Sequence, residues 1–182
     1  WAKKRIYWNN SQLKTKTNIA IIYIHGFSAS MGEIRPVPDI LAKNLQANLY
    51  YSRLSGHGLT EEASLKNVGG KDWYYDIQEA FEIGYKIGNK ILVIATSFGC
   101  TLVSEYLSKT DKNNHILGNI FISPCFGIPD LRLLLARYTW SKFLFRLFLG
   151  KERKIGNRTL EEKKWWCNIY PVEAILNLEI CI

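Results

Sequence analysis

The sequence has no CxxC pair and no metal-ligand spacing. Its four cysteines, Cys100, Cys125, Cys167 and Cys181, lie far apart. That argues against a zinc module or a redox pair and fits reduced thiols in a reducing compartment. A low-complexity tract and a repeat at a solenoid period are also missing, which sets aside disordered-tail and solenoid architectures. The longest apolar stretch, Leu131 to Leu149, is broken by Arg132, Arg137, Lys142 and Arg146. Each such charge costs roughly 2.5–3.5 kcal/mol at mid-bilayer, so a membrane span is not expected. At helical spacing the four charges do not gather on one face, so a buried or lid-forming helical region is expected rather than an interfacial anchor. No signal peptide is visible. The chain opens at Trp1 rather than Met, so that absence carries little weight. No histidine follows His115.

What is present is ordinary for one globular domain. The 182 residues are 47% hydrophobic and 22% charged, enough to bury a sizeable core. Six Trp, ten Tyr and eight Phe suit a heavy core or an apolar pocket and argue against disorder. The formal charge is +8, but the basic residues are scattered and no nucleic-acid motif accompanies them. Nucleic-acid binding is not expected. Aromatic residues sit among the late charges, so a weak attraction to anionic head groups is the partner the charge supports. The expected location is cytoplasmic, or peripheral at a membrane surface.

Lys3 to Trp8 reads as a short β segment, and Asn9 to Gln12 as a hairpin turn after it. Ile19 to Ile24 is a continuous β-branched run, the pattern of a strand buried on both faces. A helix is predicted from near Pro38-Asp39, then a strand over Ala47 to Leu54, closed by Ser55-Gly56-His57-Gly58. From Asp72, residues Trp73, Ile77, Ala80, Phe81, Gly84 and Ile87 follow the 3.6-residue period, and Gly88-Asn89 stops that helix. Lys90 to Thr96 predicts a second buried strand, with Ser97 directly after it. A helix over about Phe98 to Lys109 and a strand over Gly118 to Ser123 follow. Strands alternating with helices imply an α/β fold, a mostly parallel sheet with helices on both faces. Such sheets carry their sites at the carboxyl ends of the strands. After Pro124 no clear strand is visible.

Two segments carry chemistry. In Ala95-Thr96-Ser97-Phe98-Gly99 a serine stands between a buried strand and a helix. A sharp turn there projects the hydroxyl into a cleft and needs small residues two places before and after the serine. Gly99 meets that need fully; Ala95 meets it with one extra methyl. The bland alternative is a helix cap, and the flanking strand and helix weigh against it. The second segment is His25-Gly26-Phe27-Ser28, after the first buried strand. Acyl transfer requires two N–H groups aimed at the oxyanion. The candidates are Phe98, next to the serine, and Phe27, with Gly26 allowing close approach. A simple strand-ending turn is the competing reading.

Taken together, HGFS, LSGHG, KDWYYDIQEAF and IATSFG resemble the α/β-hydrolase superfamily, in particular bacterial carboxylesterases and monoacylglycerol lipases. The resemblance covers Ile19 to Ser123 well, and continues loosely to Tyr170-Pro171-Val172-Glu173. It implies a C-terminally incomplete hydrolase core over residues 1–124 and a helical cap or insertion over 125–182. It also implies a serine hydrolase cleaving small apolar carboxylic esters through an acyl-enzyme on Ser97. Trp140, Phe143, Leu144 and Phe145 of the cap would line an acyl pocket. No cofactor and no metal are expected.

Serine needs a base, and the base needs an orienting acid. In the superfamily both follow the nucleophile in the chain. Here His25 and His57 belong to turn motifs before Ser97, and His115 lies at the start of a strand, the wrong end of the sheet. Asp72 and Asp76 lie on a preceding helix, and Asp130 reads as a helix cap. The expectation is therefore a chain truncated before its catalytic acid and base, inactive alone and active in a longer form. An acyltransferase on the same fold and a silent binding domain are the alternatives.

Overall fold

The computed structural model describes residues 2–58, 64–127, 150–154, 156 and 159–179. The expectations for Asp130, Trp140, Phe143, Leu144, Phe145 and Cys181 lie outside the described residues. Strand β1 (Arg5–Tyr7), β2 (Thr17–Ile24), helix α1 (Val37–Asn44), β3 (Asn48–Tyr51), α2 (Gly70–Ile87), β4 (Gly88–Thr96), α3 (Phe98–Lys109) and β5 (Ile116–Ile122) follow in order. Then come β6 (Glu152–Lys154), β7 (Ile169–Pro171) and α4 (Val172–Glu179).

The first five strands form one sheet in the order β1-β3-β2-β4-β5. Three pairings are parallel, and β1 alone runs antiparallel, against β3. Alternation along β2 explains how the helices are placed. Ala20, Ile22 and Ile24 pack with Trp73, Ile77 and Phe81 of α2 and with Leu102 and Val103 of α3. Ile21 and Tyr23 pack on the opposite face with Met31, Ala42 and Tyr51. Full burial of each such aliphatic side chain stabilises by about 1.5–3 kcal/mol. A strand covered on both faces has no polar side, which is why β2 reads as an unbroken apolar run.

Register sets the site. Ile24 stands opposite Ala95, Ala95 opposite Phe121, and Thr96 opposite Ile122. The carboxyl ends of β2, β4 and β5 therefore meet at one rim, with Gly26, Ser97 and Ser123 just beyond them.

Several sequence expectations are corrected. Asn9 to Gln12 is not the turn of a hairpin, because β1 pairs with β3 rather than β2. The stop at Gly88 stands: α2 ends at Ile87, and Gly88, with an extended backbone (φ −145°), opens β4 directly. The segment after Pro124 does contain strands: β6 and β7 pair antiparallel. Both are three residues long, too short to show a period. Tyr170, Ala174 and Leu178 from this region join the same core as Trp73 and Phe81. Among the described residues no helix is long and apolar enough to cross a membrane, and no group of His, Cys, Asp and Glu could hold a metal ion. No disulfide joins Cys100, Cys125 or Cys167.

Candidate functional site

The turn between β4 and α3 is one residue long. Ser97 takes φ 50° and ψ −117°, a conformation that costs a non-glycine residue on the order of 1–3 kcal/mol. The backbone around it holds that strain in place. Ser97 N–H donates to Ile122 O at 2.9 Å, and Ser97 O accepts from Cys100 N at 3.0 Å and Cys125 N at 3.2 Å. The residue is half-buried, and its Oγ has no hydrogen-bond partner among the described residues. Ser28 (φ 62°) and Ser123 (φ 46°) share the left-handed region, so backbone strain gathers at this rim of the sheet.

Close packing around Ser97 depends on two glycines. A Cβ on Gly99 would lie 2.7 Å from Ile24 O and 2.8 Å from His25 O. A Cβ on Gly26 would lie 3.2 Å from Ser97 Cβ. Helix α3 can thus start against the end of β2, and the loop after β2 can lie beside the serine.

Phe98 is the first residue of α3, and the first N–H groups of a helix have no partner within it. Among the described residues neither Phe98 N–H nor Phe27 N–H donates to a backbone acceptor outside helices and strands. Their side chains are committed to packing. Phe27 meets Phe98 at 6.3 Å, Trp73 at 6.1 Å, His57 at 5.8 Å and Tyr170 at 5.4 Å between ring centroids, all edge to face. Such aromatic pairs stabilise by about 0.5–1.5 kcal/mol beyond area burial. The loop is also clamped by later residues: Ser28 O accepts from Cys167 N at 2.6 Å, and Ser30 Oγ donates to Trp165 O at 2.7 Å.

The histidines are not placed to serve Ser97. His25 is fully buried, with Nδ1 2.8 Å from Gly26 O and Nε2 accepting from Leu54 N at 3.1 Å. Both ring nitrogens are engaged by backbone, and burial lowers its pKa to about 4. His57 is also fully buried, with Nδ1 3.0 Å from Ser55 O and Nε2 without a partner among the described residues. Burial, with His25 beside it at 4.9 Å between ring centroids, lowers its pKa to about 3. His115 is exposed at the opposite end of the sheet, before β5. The acids have structural duties. Asp72 Oδ2 accepts from Gly69 N at 3.0 Å at the start of α2. Asp76 accepts from Ser55 N at 2.5 Å and pairs with Lys4 at 3.1 Å.

One acid beside Ser97 escaped the sequence reading. Glu33 sits on a 3-10 turn (Met31–Glu33), where no period or motif marks it. Its Oε2 accepts from Gly26 N at 2.9 Å and from Tyr23 OH at 2.7 Å. Burial pushes its carboxyl above the ordinary range.

No protein-family model matches the sequence, and no curated protein matches it. Solved structures do. A structure described with LipS and LipT, two metagenome-derived lipolytic enzymes, superposes with a TM-score of 0.76 at 18% identity, covering 99% of this chain and 67% of that one. A soluble variant of monoglyceride lipase from Saccharomyces cerevisiae, in complex with a substrate analog, superposes with a TM-score of 0.66 at 12% identity. It covers 98% of this chain and 62% of that one. The chain thus spans about two thirds of the length of these structures. With its mostly parallel sheet, its helices on both faces and these neighbours, the chain has the fold of the α/β hydrolases.

Proposed function

We propose that this chain is the nucleophile-bearing part of a serine hydrolase that cleaves carboxylic esters of the carboxylesterase or monoacylglycerol-lipase type. The observation that carries the reading is Ser97, held at φ 50° on a one-residue turn between β4 and α3. Its Oγ attacks the ester carbonyl. The N–H groups of Phe27 and Phe98 receive the oxyanion, and the collapsing tetrahedral intermediate expels the alcohol and leaves an acyl-serine. Water then attacks that ester and releases the acid. The helix dipole of α3 adds partial positive charge at the same place. The proton from Ser97 needs a base. None of the three histidines is placed to take it, so the reading calls for a base other than these and an acid to orient it. The lipolytic enzymes of the same fold support an ester as the substrate.

The buried histidines also favour a second reading, a catalytically silent domain that binds an apolar ligand. Hydrolysis of p-nitrophenyl butyrate by the complete product of the gene separates the two. We expect Ser97→Ala to lower kcat about a thousandfold or more while the fold persists. An unchanged rate in the alanine variant would remove Ser97 from the reaction. No hydrolysis by the complete product would favour the silent domain.

A further inference from the structure

Glu33 bonds one half of the site directly, at Gly26, and reaches the other through Tyr23. The residue it holds in the loop, Gly26, immediately precedes Phe27. Its Tyr23 partner lies 3.1 Å, OH to Oγ1, from Thr96, which immediately precedes Ser97. Tyr23 thus links the Glu33 carboxyl to Thr96 through its hydroxyl. Tyr23 and Thr96 are buried, so this is an interior network.

A carboxylate is an acceptor-only group, and its hydrogen bonds to N–H and O–H donors are stronger than neutral ones. One such group bonded to the loop and to β2, and linked through Tyr23 to Thr96 of β4, fixes the distance between the loop and the serine turn. The turn that carries it is itself anchored. Glu33 N donates to Ser30 O at 3.0 Å, Met31 is buried, and Ser30 Oγ donates to Trp165 O at 2.7 Å. A role as orienting acid of a Ser–His pair does not fit Glu33, because both ring nitrogens of His25 are already engaged elsewhere.

We propose that Glu33 is a positioning residue, which sets the spacing between the Phe27 and Phe98 N–H groups by tying Gly26 and Tyr23 to one carboxylate, with Tyr23 passing the tie on to Thr96. The proposal rests on the reading of Ser97 as nucleophile and of these two N–H groups as its oxyanion donors. An oxyanion site tolerates little displacement, since a misplacement of about 1 Å can cost on the order of a hundredfold in rate.

The test compares Glu33→Gln and Glu33→Ala by amide NMR on the 182-residue chain. Glutamine is isosteric and keeps an oxygen that accepts from Gly26 N–H; alanine keeps nothing. The expected result is that alanine shifts the Gly26, Phe27, Ser97 and Phe98 amide resonances together and speeds hydrogen exchange at Gly26 by about tenfold or more. Glutamine returns most of both effects. In the complete product, alanine lowers kcat about tenfold or more with KM little changed. Phe27, Ser97 and Phe98 amides that stay in place in the alanine variant overturn the proposal, whatever happens to stability. An unhydrolysed ester with wild-type Glu33 would instead count against the hydrolase reading, while the NMR comparison still decides whether Glu33 positions the loop.

Discussion

Acidification from pH 7 to pH 5 is expected to cost this fold about 3–4 kcal/mol through His25 and His57. In the folded state their pKa values are about 4 and about 3, lowered chiefly by burial. In the unfolded chain both titrate near 6.5. As pH falls below about 6.5 the unfolded state takes up protons that the folded state refuses, so stability is lost with falling pH. At pH 5 the difference approaches two protons. Glu33 acts in the opposite direction. Its carboxyl is raised by burial, so the folded state binds its proton first and gains stability as pH falls. One carboxyl against two histidines leaves the net slope with the histidines. Urea denaturation at pH 7, 6 and 5 measures it. His57→Phe should roughly halve the slope, whatever it does to stability at pH 7, and an unchanged slope would show that His57 is not held neutral. For a domain with about 5–15 kcal/mol in total, the expected loss is a large fraction.

Gly99→Ala is expected to destabilise by about 1–3 kcal/mol, at the upper end of that range. In an ordinary helix interior the same change stabilises by up to about 1 kcal/mol, so the sign is diagnostic. The obstacle is the position of the new methyl, 2.7 Å from Ile24 O and 2.8 Å from His25 O. These are backbone atoms of β2 and its loop, which no side-chain rotation can move aside. Relief requires helix α3 to back away from β2, which also shifts Phe98 and Ser97. Chemical denaturation of the variant checks the stability, and a neutral or stabilising result would mean that α3 does not pack so closely on β2.

The parts of the fold that could be read from sequence are those with strong local patterns. β2 and β4 are continuous apolar runs because helices cover the centre of the sheet on both faces. α2 shows its period because Trp73, Ile77, Ala80 and Phe81 all face that sheet. The turn at Ser97 is legible because Gly99 is the residue its geometry requires. What was not legible depends on contacts distant in the chain. The partner of β1 is chosen by register with β3, about 45 residues later, and no local signal encodes it. β6 is Glu-Arg-Lys, a charged triplet with neither β-branching nor alternation. His57 reads as part of a glycine turn, yet it lies buried against Phe27 and Trp73. Glu33 is one acid in a loop, and its place in the network is visible only when Gly26 and Tyr23 converge on it.

The proposed reaction requires Ser97 to be the reactive hydroxyl at the junction of β4 and α3. The most direct measurement is reaction of the complete gene product with a fluorophosphonate, followed by peptide mapping of the adduct by mass spectrometry. The expected result is one phosphonyl group on Ser97, absent from Ser97→Ala. An adduct on another serine, or none in a preparation that still hydrolyses esters, would contradict it.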